Sequence, residues 1–135
     1  MLKYSVLIAD DDDSQRNVQK LVLGEVASMI EAELKIDETT NSVETRKFIS
    51  ENEYDLIILD NEFKDDLSQG HLPGIAILQL MRKSGPNRSS PTVFCSGDPY
   101  STLGPMAERY GAVYYPKAKA DLEELTKLYL KLLQK

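Results

Sequence analysis

Tyr4-Ser5-Val6-Leu7-Ile8-Ala9-Asp10-Asp11-Asp12-Asp13 joins a short apolar run to four carboxylates in a row. An apolar run without polar alternation reads as a strand buried on both faces, as in a parallel sheet covered by helices. A second such run, Tyr54-Asp55-Leu56-Ile57-Ile58-Leu59, also ends in a carboxylate, Asp60. Between them, Val18, Leu21, Val22, Val26 and Met29 recur at helical spacing, with Ser14 as a possible cap. Asp12 and Asp13 read as solvated residues or as caps near the positive end of that helix.

Outward from these two runs the alternation continues. Leu34-Lys35-Ile36-Asp37 is a weaker strand, and Val43 to Ser50 predicts a helix capped by Asn41 or Ser42. The polar stretch Asn61 to Pro73 reads as a loop. Ile75, Leu78, Leu80 and Met81 restart a helix that Gly85-Pro86-Asn87 stops. Thr92-Val93-Phe94-Cys95 is the next strand, and Ser96-Gly97-Asp98-Pro99 a turn. Met106, Arg109 and Tyr110 mark a short helix ended by Gly111, and Val113-Tyr114-Tyr115 is a last strand. Leu122, Leu125, Leu128, Tyr129 and Leu132 share a face of a closing helix. Five repeats of strand then helix predict an α/β fold, a doubly wound five-stranded parallel sheet with helices on both faces. Ligands of such sheets sit at the carboxyl ends of the strands, where the strand order reverses.

At 135 residues, the chain is expected to form one domain over 1–135, with no effector domain. Sixteen basic against 22 acidic residues give a net charge of −6, which disfavours contact with a phosphate backbone, so no nucleic-acid partner is expected. The 41% hydrophobic and 28% charged composition excludes disorder and collagen-like structure. Cys95, the one cysteine, sits in an apolar strand and reads as a core residue in a reducing, cytoplasmic setting. No signal peptide or spanning segment is visible, so no membrane association is expected. His71, among Gly70, Pro73 and Gly74, reads as a loop residue rather than a metal ligand.

The strand ends carry the chemistry. The first delivers Asp10 and Asp11, the third Asp60, the fourth Ser96, and the fifth ends near Lys117. Three carboxylates in one cleft repel each other, and the pKa of one should rise. A divalent cation removes that conflict, and hard oxygen ligands with open positions for phosphate suit Mg²⁺. A carboxylate held there is a candidate phosphoryl acceptor, with a hydroxyl and an ammonium to stabilise the phosphoryl oxygens.

With these residues in order over the whole length, the sequence resembles the receiver domain of two-component response regulators, of the stand-alone, chemotaxis-regulator-like kind. Val6 to Asp12 with Arg16 is similar to that family's first strand, acidic pair and first helix. Tyr54 to Asp60 is similar to its third strand, and Ser96 lies 15 positions before Gly111-Ala112, as in the family. The resemblance implies the flavodoxin-like strand order 2-1-3-4-5. It implies phosphorylation of Asp60 by a histidine kinase or a histidine phosphotransfer protein. It implies Mg²⁺ held by Asp10, Asp11, Asp60 and the backbone carbonyl of Glu62, with Asp10 acting through water. Ser96 and Lys117 would bind the phosphoryl group, and Tyr114 or Tyr115 would be the switch aromatic.

Three departures stand out. Gly74 lies 14 positions after Asp60, so the loop is about five residues longer than the family's, and it carries Lys64, Asp65 and Asp66. The order Pro116-Lys117-Ala118 lacks the proline that follows the family's lysine. A cis peptide before Ala costs roughly 2.5–4 kcal/mol, so a trans bond is expected there. The interval from Gly111 to Lys117 is one residue short, which makes Lys119 the alternative lysine. The implied function is a single-domain response regulator that signals by changing protein–protein binding, to a downstream protein target or as a homodimer. The resemblance implies a phosphoacceptor switch more than an enzyme. The competing readings are a Mg²⁺-dependent phosphatase with an aspartyl nucleophile and an unphosphorylated receiver-like adaptor.

Overall fold

The apolar runs form the middle of a five-stranded parallel sheet in a computed structural model that describes residues 2–63, 71–119 and 121–134. The elements are β1 (Leu2–Ala9), α1 (Asp13–Met29), β2 (Ala32–Thr39), α2 (Ser42–Glu51) and β3 (Leu56–Asp60). They continue with α3 (Gly74–Lys83), β4 (Thr92–Ser96), α4 (Tyr100–Arg109), β5 (Val113–Pro116), a 3₁₀ turn at Lys117–Lys119, and α5 (Leu122–Leu133). The strand order is β2-β1-β3-β4-β5, as the resemblance implies. The order reverses between β1 and β3, so their carboxyl ends flank the crevice.

All of β3 and β4 is buried, together with Val6 to Ala9 of β1. Each fully buried aliphatic side chain stabilises the fold by roughly 1.5–3 kcal/mol. One face of the sheet packs Leu7, Ile57, Leu59 and Phe94 against Ile49, Ile77, Leu78, Met81 and Ala107. The other packs Val6, Ile8, Ile58 and Val93 against Val22, Leu23, Val26, Leu125 and Tyr129. Thus α1 and α5 cover one face and α2, α3 and α4 the other.

The boundaries move where local chemistry outweighs apolar pattern. β2 runs from Ala32 to Thr39, twice the predicted length. It is an edge strand whose Glu33, Lys35 and Asp37 dilute the apolar signal. Asp12, not Ser14, caps α1, its carboxylate accepting from the N–H groups of Ser14 at 2.8 Å and Gln15 at 3.1 Å. Asn41 caps α2 by accepting from Glu44 N–H at 2.7 Å. The buried stripe of α1 is Gln19, Val22, Leu23 and Val26. Leu21 and Met29, placed on that face by spacing alone, are 72% and 57% exposed. Leu122 is likewise exposed, and α5 buries Leu125, Tyr129 and Leu133.

Asn87, predicted only as a helix stop, is fully buried and ties three segments together. Its amide donates to Ile49 O at 2.7 Å and Asn52 O at 2.6 Å, and its oxygen accepts from Tyr54 N–H at 2.8 Å. With a second bond accepted from the Ser90 hydroxyl at 2.7 Å, all four hydrogen-bonding positions of the one amide are used.

Candidate functional site

Asp10 follows β1 directly. Its backbone N–H continues the ladder to Thr39 O at 3.0 Å, and its Oδ1 accepts from Asp12 N–H at 2.9 Å. That bond turns the chain so that Asp12 reaches the start of α1. Arg16, one turn into the helix, donates to Asp10 O at 2.7 Å and to Glu38 at 3.1 Å, and also pairs with Asp13. The acidic turn is therefore anchored to β2 by a guanidinium that the sequence placed only as part of a pattern.

Asp60 closes β3 and is 2% exposed. One oxygen each of Asp10, Asp11 and Asp60 lie within 4.8 Å of one another. Lys117 Nζ lies 2.9 Å from Asp60 Oδ1 and 3.7 Å from Asp10 Oδ2. Apart from that contact, neither Asp60 oxygen finds a hydrogen-bond partner of good geometry among the described residues. Ser96, fully buried at the end of β4, accepts from Asp98 N–H at 3.0 Å through its hydroxyl oxygen.

Burial pushes Asp60 up to about 6, with the Asp10 charge adding to it and the Lys117 ammonium and Glu62 N–H opposing it. Asp10 is also raised, chiefly by burial. Like-charge repulsion, the cause expected from sequence, is thus present but second to desolvation. Burial works against the Lys117 ammonium, yet the Asp60 and Asp10 carboxylates outweigh it and raise its pKa. The clustered hard oxygens and the orphaned Asp60 oxygen fit a divalent cation such as Mg²⁺.

The structure brings Lys117 to the carboxylates and leaves Lys119 elsewhere, paired with Glu124 at 2.6 Å and 6.0 Å from the Tyr115 ring centre. The Lys117–Ala118 peptide is trans, as expected. Tyr114 and Tyr115 face opposite sides of the sheet. Tyr114 packs beside Phe94 and Tyr100 on the α4 side, and its hydroxyl donates to Asp98 O. Tyr115 lies on the α5 side, where its hydroxyl accepts from Asp121 N–H at 2.9 Å. Glu62 is exposed, and its N–H lies near Asp60. His71 is half-buried, with Nδ1 3.4 Å from the Ser42 hydroxyl. Lys64, Asp65, Asp66 and Gly70 lie outside the described residues.

Solved structures supply the comparison. The receiver domain of a sensor histidine kinase from Pseudomonas aeruginosa, with a magnesium ion coordinated in its active-site cleft, is similar at a TM-score of 0.76 and 13% identity, over 98% of this chain and 99% of that one. The chain has the receiver-domain fold. A response regulator from Thermotoga maritima is similar to it at a TM-score of 0.74 and 18% identity, over 99% of this chain and 100% of its own. Chemotaxis protein CheY4 of Vibrio cholerae is similar at 0.72 and 17% identity, over 97% and 99%. No family model and no curated protein matches the sequence.

Within this receiver fold, Asn61 was missed by sequence reasoning. It is 8% exposed. Its side-chain oxygen accepts from Ile75 N–H at 3.0 Å, and its backbone oxygen accepts from Gly74 N–H at 2.8 Å. The signal was available: α3 opens on Pro73-Gly74, with no side-chain cap from Pro73, so its first N–H groups needed an acceptor from elsewhere. The cap comes from the residue after Asp60, and it docks the helix on the site. Asn61→Ala should therefore lower stability by about 1–2 kcal/mol, read as a shift in the urea midpoint.

Proposed function

We propose that this chain is a phosphoryl-accepting switch in which Asp60 takes a phosphoryl group from a histidine kinase or a histidine phosphotransfer protein. The observation that carries this reading is the Asp60 carboxylate: buried, short of hydrogen bonds, beside Lys117, and grouped with Asp10 and Asp11 at the reversal of strand order. A structural carboxylate buried this deeply would be expected to have its acceptor sites filled.

At pH 7.5 Asp60 is mostly ionised, with its pKa near 6, and so holds a free electron pair for attack. In the transfer an Asp60 oxygen bonds to phosphorus, the donor's P–N bond breaks, and the electron pair leaves with the imidazole nitrogen. Lys117 pairs with the phosphorylated side chain, and Ser96, whose hydroxyl proton is not used toward Asp98, donates to a phosphoryl oxygen. Asp11, Asp60 and the Glu62 carbonyl would hold Mg²⁺, with Asp10 acting through water. Bound there, the ion neutralises charge on the phosphoryl oxygens. Tyr114, facing α4, is the aromatic whose hydroxyl answers the change near Ser96. The output is altered binding to a downstream protein or to a second copy of the chain, in the cytoplasm.

Acetyl phosphate with Mg²⁺ should add one phosphoryl group, seen as a single step in intact mass, and Asp60→Asn should abolish it. A wild-type mass that does not change, under conditions that label a known receiver, overturns the reading. Steady turnover of a phosphomonoester would move it to the phosphatase class.

A further inference from the structure

At the amino-terminal edge of the sheet, opposite Asp60, lies a second charged site of the other sign. Arg82, in the last turn of α3, is half-buried, and its guanidinium is held by neutral oxygens only. Nε donates to Tyr110 O at 2.7 Å, Nη1 to Asn87 O at 3.1 Å and Nη2 to Thr92 Oγ1 at 3.1 Å. The three anchors sit on different segments, so the group is fixed without a carboxylate partner among the described residues. Burial lowers its pKa, as expected of a cation lacking a counter-charge.

Two more arginines face the same place. An open cleft of about 450 Å³ is lined by Arg82, Arg88, Ser89, Arg109, Tyr110 and Gly111. An adjoining one of about 520 Å³ shares Arg82, Arg88 and Ser89. No carboxylate lines either cleft. Arg88 and Arg109 are exposed and form no ion pair among the described residues. In a chain of net charge −6, three guanidiniums are gathered around one concavity whose lining has no carboxylate to pair with them. A multiply charged anion supplies the missing charge. Planar guanidinium forks match phosphate oxygens two at a time, and three of them suit a dianion or oligoanion better than a single carboxylate.

We propose that this cleft binds a small phosphate-bearing anion through Arg82, Arg88 and Arg109, with the Ser89 hydroxyl as a neutral donor. The source is either inorganic phosphate chemistry or the phosphate of a small metabolite.

The test is a titration of the full chain followed by amide chemical shifts, in EDTA so that the acidic site holds no divalent ion. The probes are inorganic phosphate, pyrophosphate and ADP, each against sodium chloride at matched ionic strength. Saturable shifts centred on Ser89 and Gly111 are expected, tighter for pyrophosphate than for phosphate. An Arg88→Gln, Arg109→Gln double variant, whose side chains hold no described structural contact, should weaken binding about tenfold or more. ADP binding tighter than pyrophosphate assigns the source to a nucleotide, and equal binding to the phosphates alone. Shifts that do not saturate, that chloride reproduces, or that survive in the double variant overturn the proposal.

Discussion

Without divalent ions at pH 7.5, Asp60→Asn should be more stable than the wild type, by about 3 kcal/mol, or roughly 10 °C in Tm. The carboxyl is 2% exposed, and its pKa is pushed from 3.8 to about 6, mainly by burial. A group whose folded pKa is raised binds protons more tightly when folded. Its stabilising contribution is complete below pH 3.8 and is lost as pH rises through about 6. Two units at about 1.4 kcal/mol each give the magnitude. Asn keeps the shape of the neutral carboxyl and carries no charge, so its advantage should vanish near pH 4. Lys117, left without that partner, still has Asp10 Oδ2 at 3.7 Å. Mg²⁺ should reverse the order by stabilising the wild type more than the variant, which lacks one of the three clustered carboxylates. Urea midpoints of both proteins from pH 4 to 7.5, with and without Mg²⁺, check it. A variant no more stable than the wild type at pH 7.5 in EDTA would show that burial does not strain this carboxylate.

The second large effect is expected at Gly74. A Cβ there would lie 2.1 Å from the Asp60 carbonyl oxygen and 2.8 Å from Asn61 Cα. Both are backbone atoms that no rotamer change can move aside. Either α3 retreats, breaking the Gly74 N–H to Asn61 O bond, or the end of β3 shifts. Gly74→Ala should cost about 3 kcal/mol. It should also slow labelling of Asp60 by acetyl phosphate, because the carboxylate rides on the displaced backbone. Gly24 provides the contrast. It is exposed on α1 with nothing within 4 Å of its would-be Cβ, and Gly24→Ala should gain up to about 1 kcal/mol. Equal urea midpoints for the two variants would refute the close-approach argument.

Legibility followed burial. Leu7 and Ile57 lie in strands covered on both sides, so their apolar runs stood out, and the carboxylates ending those runs pointed to the site. The strand order brings the strand ends that carry Asp10, Asp11 and Asp60 to one edge of the sheet. β2 was half seen, because an edge strand alternates charged residues with apolar ones. Leu21 and Met29 misled because spacing defines a face only once the helix is docked, and α1 turns Gln19 inward to meet the Tyr129 hydroxyl. Asn61 was overlooked because its partner Ile75 lies 14 residues on, and the one hint was indirect, the uncapped start of α3. The choice between Lys117 and Lys119 likewise needed the path of the chain through the 3₁₀ turn.

The backbone of Asp98 is gripped on both sides of its Cα. Its N–H is held by the Ser96 hydroxyl from β4, and its carbonyl by the Tyr114 hydroxyl from β5. Two strands thus share one handle on the turn that leads into α4. Thermodynamic reciprocity then applies to that handle: any free energy by which a change at Ser96 loosens Tyr114 is the same free energy by which holding Tyr114 would resist the change at Ser96. Tyr114 is itself buried beneath Tyr100, so on the proposed function a partner acting through α4 to hold that hydroxyl in place would change how readily Asp60 is phosphorylated by the same factor that phosphorylation changes the partner's binding.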